Sequence, residues 1–151
     1  MRHAKFAETI RDLAYTEKNV DVIRAELKRI KLAASDPQEY LMAVGYAIHY
    51  ADNENTQGAI SRIMRALPEA GEIDLSKETE AVFKNSAQSN MGILKPLVAD
   101  MVKSANGNVD ALASAIAKAV YYTSGSHPQS AVLQSVMSCT KHLSSEHNPS
   151  P

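Results

Sequence analysis

The sequence predicts an all-α fold, a single-domain helical bundle of about six to eight short helices. Three observations predict it. Apolar residues recur at three- and four-residue spacing along almost the whole 151-residue chain, the period that gathers them on one side of a helix. No alternating run of Val, Ile, Thr and aromatic residues lies between hairpin turns, as strands would require. Helix starts and stops punctuate the pattern, at Asp36-Pro37, at Pro68 and at Gly107-Asn108.

Phe6, Ile10 and Leu13 mark one face of a first helix, and Val20, Ile23, Leu27 and Ile30 continue the spacing. Because Phe6, Leu13, Val20 and Leu27 are each seven apart, one long helix over residues 3–33 is an arrangement to weigh, including a dimeric coiled coil. Thr9 and Thr16 occupy the intervening heptad positions, and Asn19 has the side chain of a helix cap. Two helices, or one kinked helix, packing on their own bundle is therefore the preferred arrangement.

The stretch SDPQEYLMAVGY follows from Ser35. Asp36 suits an N-cap, Pro37 suits the first helical position, and Glu39 stands where a capping box places an acid. The helix is expected to run to about Tyr50, with Leu41, Val44, Ile48 and Ala51 on its buried stripe. After the polar turn ADNENTQG, the residues Ile60, Ile63, Met64 and Leu67 define a short amphipathic helix that Pro68 ends. PEAGEID reads as an acidic, irregular loop, and Ser76 as the cap of a helix to about Ala87 with Val82 and Phe83 inward.

Ile93, Leu94, Leu97, Val98, Met101 and Val102 form a broad apolar face, interrupted by Pro96, so the helix starts near that proline or bends there. Gly107 reads as a stop and Asn108 as the next cap. Val109, Leu112, Ile116 and Val120 line the following helix, whose alternate alanines from Ala111 to Ala119 leave it thin. A thin helix admits close neighbours, which places it near the centre of the bundle. After YYTSGSHP the last helix is expected to bury Val132, Val136, Cys139 and Leu143. The bundle domain is thus residues 1–145, and the polar residues 146–151 read as a flexible C-terminal tail. The repeated Ser-x-Pro-Gln at Ser35 and Ser126 marks two helix starts, because the flanking residues do not align.

Composition narrows the function classes. The chain is 44% hydrophobic and 22% charged with a net charge of −1, so the whole molecule carries no attraction for nucleic acid or anionic membrane. Cys139 is the only cysteine, which excludes an internal disulfide and suits a reducing compartment. No stretch approaches a membrane span and the charged N-terminus lacks an apolar signal core. The expectation is a cytoplasmic protein.

No phosphate-binding loop, dinucleotide fingerprint or nucleophile elbow occurs. His3, His49, His127, His142 and His147 show no metal-ligand spacing. Cys139 falls within an apolar stripe, where it reads as a small hydrophobe. The tyrosines read as amphipathic edges of the core. No cofactor, metal or small-molecule substrate is implied, and the expectation is a protein that is not an enzyme.

Two surface features remain. From Ser104 onward the only charged residues are Asp110, Lys118, Lys141 and Glu146. Either the last two helices are wrapped by the earlier ones, or their uncharged surface meets a protein partner or a second copy of the chain. Tyr121, Tyr122, Gln129, Ser130, Gln134 and Ser135 are the candidate assembly face. The same stretch has the outline of a helix-turn-helix but lacks cations before Lys141 for phosphate contacts. The second feature is basic: Arg24, Lys28 and Lys31 share a stripe, and Arg62 and Arg65 project from another helix. Together they are a candidate face for a phosphate backbone or an acidic partner. The simpler account is a solvated surface with Arg29 paired to Glu26. The reading is a helical protein-binding module, a regulatory or accessory subunit of a larger assembly, with a nucleic-acid-associated small subunit as the alternative and a small enzyme as the third.

Overall fold

Asn19 divides the first amphipathic stretch in two. Its side-chain oxygen accepts from the Asp21 N–H at 2.9 Å, satisfying one of the donors that a helix start leaves free. In the computed structural model, which describes residues 2–54 and 56–145, α1 spans Arg2–Thr16 and α2 spans Val20–Ala33. Both turn their apolar faces inward, through Ala7, Ile10 and Ala14 and through Ile23, Leu27 and Ile30. The two-helix arrangement is the one found.

Asp36 opens α3, Pro37–Asn53. One carboxylate oxygen accepts the Glu39 N–H at 2.9 Å, as expected of the cap, and the Glu39 carboxylate accepts the Ser35 N–H at 3.0 Å, one residue before the position that a capping box uses. The other Asp36 oxygen accepts from the Ser145 N–H at 2.9 Å and its hydroxyl at 3.1 Å. One carboxylate therefore fastens the far end of the described chain to the start of α3.

Partial burial works against that negative charge, but the Ser145 and Glu39 N–H groups and the Ser145 hydroxyl outweigh it. The carboxyl titrates below its ordinary 3.8. Its contribution is therefore complete above that value and is lost as the pH falls through the lower folded one. Asp36→Ala is expected to cost about 1 kcal/mol at neutral pH. In urea titrations the gap between variant and wild type should close as the pH falls below 3.8.

The chain continues through α4 (Gln57–Ala66), α5 (Ser76–Lys84), α6 (Met91–Ala105), α7 (Val109–Tyr122) and α8 (Ser126–Cys139), with a 3-10 turn over Lys141–Leu143. Among the described residues there are eight α-helices and no strand. The expected tail, 146–151, lies outside the described residues.

Several expectations are corrected. Ser76 is the first residue of α5 and not its cap: Asp74 accepts from both the Ser76 N–H at 2.9 Å and its hydroxyl at 2.6 Å. The helix ends at Lys84, short of Ala87, and Phe83 is only half-buried. Pro96 sits inside α6, with Asn90 capping that helix through the Gly92 N–H at 2.9 Å. The carbonyl that a proline ring crowds belongs to the residue four back, which here is the exposed Gly92. Ile93 is exposed and Leu97 half-buried, so the apolar face of α6 narrows to Leu94, Val98, Met101, Val102 and Ala105. At α8 the cap position is Gly125, at φ 102°, with no side-chain bond, so the two Ser-x-Pro-Gln stretches do not share a capping device. Cys139 is half-buried rather than enclosed, and Leu143, also half-buried, belongs to the 3-10 turn.

Two helices form the centre. α7 packs against α3, α4, α5, α6 and α8, as its small side chains suggest. α3 was expected to bury one stripe, but it packs against α1, α2, α4, α7 and α8 and encloses Tyr40 through Gly45 without a break. Burial accounts for the scarcity of charge on α7, because its alanines, Leu112, Ile116 and Val120 all lie inside the bundle.

Candidate binding cleft

A surface cleft of about 360 Å³ opens between α5 and α7, roofed by the loop that joins α4 to α5. Its size falls within the range of small-ligand and side-chain pockets. Four features hold the loop in shape. Gly71 takes φ 72°, a backbone turn that favours glycine. The Asn108 amide donates to the Ala70 carbonyl at 3.0 Å, and Leu75 is buried beneath. Asp74 turns the chain into α5 as described above.

The walls follow from helical spacing. Ala111, Ser114, Ala115, Lys118 and Tyr122 form one stripe of α7, facing Ser76, Thr79, Glu80 and Phe83 of α5. Because the α7 stripe is built from alanine and serine over its first half, the wall recedes there. At the other end the Phe83 and Tyr122 rings lie 5.2 Å apart at 36°, and Tyr121 meets Tyr122 at 5.0 Å. Tyr122 is 57% exposed, an aromatic ring presented to solvent beside a concavity.

The cleft carries both signs of charge. The Asp74 carboxyl titrates below its ordinary value, first through the Ser76 hydroxyl, then the Ser76 N–H, with a smaller attraction from Lys118. Glu80 is paired with Lys84 one turn along. On the rim the Ser76 hydroxyl donates to the Asp74 carboxylate at 2.6 Å. The cleft offers apolar contact on the floor, aromatic stacking at one end and carboxylates at the rim.

The basic residues singled out by the sequence are only partly assembled. Arg24 reaches α4, its guanidinium donating to the Arg65 carbonyl at 2.9 Å and to Asp21 at 2.8 Å. Arg62 is turned to a structural task, donating to the Ala14 and Tyr15 carbonyls at 2.9 and 3.3 Å. Those carbonyls belong to the last turn of α1, where partners are otherwise lacking. Lys31 pairs with Asp110 at 2.9 Å. Lys28 and Arg65 are left exposed, without an ion-pair partner among the described residues. The Arg29–Glu26 pair forms as the spacing suggests.

The candidate assembly face divides as well. Gln129 and Ser135 are buried, so neither lies on a surface that a partner reaches. Ser130 is half-buried, Gln134 is exposed, and the Gln134 amide donates to the Ser130 hydroxyl at 3.4 Å. Tyr121 is half-buried and Tyr122 exposed, both at the cleft end of α7. α8 turns inward two of the four residues that a period-based reading placed outside, Gln129 and Ser135.

Gln129 is instead a buried junction. Its amide nitrogen donates to an Asp52 carboxylate oxygen at 2.6 Å and to the Thr123 carbonyl at 3.1 Å. Its oxygen lies 2.7 Å from His49 Nδ1 and 3.1 Å from the Asn53 amide. With the nitrogen facing two acceptors, the oxygen is the acceptor of the junction, and the tautomer of His49 with its proton on Nδ1 donates to it. A half-buried Cys139 completes the survey: burial pushes its thiol pKa up against a smaller opposing pull from Lys95, and its Sγ–H donates to the Lys95 carbonyl at 3.4 Å.

Asp74, Glu80, Phe83 and Lys118 were not singled out as site residues from the sequence. The signal that finds them is the acidic loop followed by a small-residue stripe at helical spacing, Ala111, Ala115, Lys118, Tyr122. Among the described residues no three metal-ligating side chains converge, and no helix is long and apolar enough to cross a membrane. The fold defines the class, an all-α bundle, here with a surface recess between α5 and α7. Comparison with protein-family models, curated proteins and solved structures found no match for this chain.

Proposed function

We propose that this chain is a protein-binding module, an accessory or regulatory subunit of a larger assembly, that receives a segment of its partner in the α5–α7 cleft. The observation that carries the reading is the pairing of that recess with Tyr122, 57% exposed at its mouth against Phe83. Tyrosines beside a pocket are frequent energetic centres of protein interfaces. The partner face thus shifts from the surface of α8 to the cleft end of α7. A cytoplasmic setting is part of the reading, supported by the single cysteine.

The test is affinity capture from native cells, with and without nuclease, using wild type, Tyr122→Ala and Ser114→Phe. Tyr122→Ala removes an exposed ring and Ser114→Phe fills the recess, so both should keep the wild-type circular-dichroism melt. Capture of one protein that survives nuclease and weakens by about 30-fold in either variant is the expected result. Equal retention by all three proteins would remove the cleft from the interface.

The nucleic-acid alternative draws on one observation, that Arg24 brings the exposed Lys28 and Arg65 onto adjoining helices. Its mark in the same experiment is loss of the captured material on nuclease treatment and in Lys28→Glu/Arg65→Glu, with no effect of Ser114→Phe.

A further inference from the structure

Resting on the binding-module reading, we propose that the α5–α7 cleft is a receptor for an arginine side chain carried by the partner. Charge complementarity is the first argument. Residues 69–80 hold Glu69, Glu72, Asp74, Glu78 and Glu80 against one cation, Lys77. Of these, Asp74 and Glu80 line the cleft itself, Glu80 in a pair with Lys84, and Asp74 carries the charge left for an arriving cation. Asp74 commits one oxygen to Ser76, and its second oxygen makes no hydrogen bond among the described residues. It is exposed at the rim, available to a donor arriving from outside.

The aromatic end is the second argument. A guanidinium is planar, stacks on aromatic faces and binds a carboxylate through two parallel N–H groups. Phe83 and Tyr122 offer rings, with Asp74 on the same cleft offering the carboxylate. A lysine ammonium is a compact point charge and matches only the second of these. The floor is the third: Ala111 and Ala115 give apolar surface for the methylene stem of a long basic side chain. Lys118, on the α7 wall, is a donor for backbone carbonyls of the arriving segment. An acidic segment would meet the same lysine but also Asp74 and Glu80.

The test uses the full chain, 15N-labelled, titrated with the blocked tripeptide acetyl-Gly-Arg-Gly-amide and with its lysine, leucine and glutamate counterparts. Chemical-shift changes confined to residues 74–83 and 111–122 and strongest for arginine are the expected result. Asp74→Asn keeps the acceptor for Ser76 and should weaken that binding about fivefold, the scale of an exposed charge pair. Tyr122→Ala should weaken it as well.

Equal binding by the lysine, leucine or glutamate peptide overturns the arginine assignment while leaving the cleft a docking site. Shifts that ignore Asp74→Asn and Tyr122→Ala are nonspecific and overturn it too. If the arginine peptide shifts nothing, the assignment fails. Whether the binding-module reading fails with it is then decided by capture with Ser114→Phe, which reports on the cleft irrespective of what fills it.

Discussion

Gly45→Val is expected to destabilise the protein by about 3 kcal/mol, lowering the melting temperature by about 6–12 °C for a domain of this size. Gly45 lies where α3 crosses α7 and α8. A Cβ there would stand 2.5 Å from Leu133 Cδ2 and 3.0 Å from Ile116 Cγ2, and both of those side chains are 0% exposed. A valine adds two methyl groups where even one carbon is too many, and close-packed neighbours can yield only by leaving their rotamers. Gly45→Ala is a milder case, because alanine's better helix propensity offsets about 1 kcal/mol of the overlap. The decisive measurement is a double-mutant cycle in urea. Gly45→Ala combined with Leu133→Val should cost less than the two single changes added together. Strict additivity would mean that the close approach of these helices is not what glycine serves.

Gln129→Leu is the second large effect, about 2–3 kcal/mol. Leucine fills nearly the same volume, so the cost is chemical. The buried Thr123 carbonyl and the Asp52 carboxylate lose their donor, and His49 and Asn53 lose their acceptor. Thr123 is buried, so its carbonyl left without a partner forfeits its hydration for nothing in return, while the half-buried Asp52 and His49 lose part of theirs and the exposed Asn53 turns to water. Gln129→Glu tests the same junction with a pH readout. The new carboxyl faces the Asp52 carboxylate and is enclosed, so its folded pKa must lie above the unfolded value of about 4.3. The variant should therefore come closest to wild type below that pH and lose stability as the pH rises through the folded pKa. A residue on an assembly face would behave differently, with an unchanged melt and altered association.

Gln129 also shows where a period-based reading stops. The sequence places Gln129, Ser130, Gln134 and Ser135 outside, because uncharged polar residues on an amphipathic helix normally face water. Two of the four are buried. What turns Gln129 inward is the trio Asp52, His49 and Thr123, which come from the end of α3 and the end of α7. Thr123 is six residues back, but no local pattern announces Asp52 and His49, which lie 77 and 80 residues away. Arg62 is a parallel case. On its own helix it reads as a free cation, yet it closes the carbonyl end of α1. The basic face contracts accordingly, since two of its members, Arg24 and Arg62, are held by another helix's backbone and a third, Lys31, by Asp110.

Local signals proved durable where the physics is itself local. Asn19, Asp36 and Asn108 cap through bonds to residues two or three positions on, so composition and order suffice to locate them. Asp74 was missed because Ser76, two residues later, offers an equally good cap, and only the realised backbone shows which one accepts. α3 was read as half-exposed from its single stripe. Its enclosure depends on how many helices surround it, a number that no property of α3 encodes.

The sequence by itself determined the all-α class, most helix limits and a thin, central α7, because hydrophobic period and capping act within a few residues; it offered Asn19 as a cap but left open whether the first stretch divides or bends there. The tertiary structure decided which polar residues face inward, which cations stay free, and that the stripe of α7 opposite α5 recedes into a cleft. Those outcomes depend on groups brought together from distant parts of the chain. Their energies arise only when packing removes the water that each group would otherwise bind.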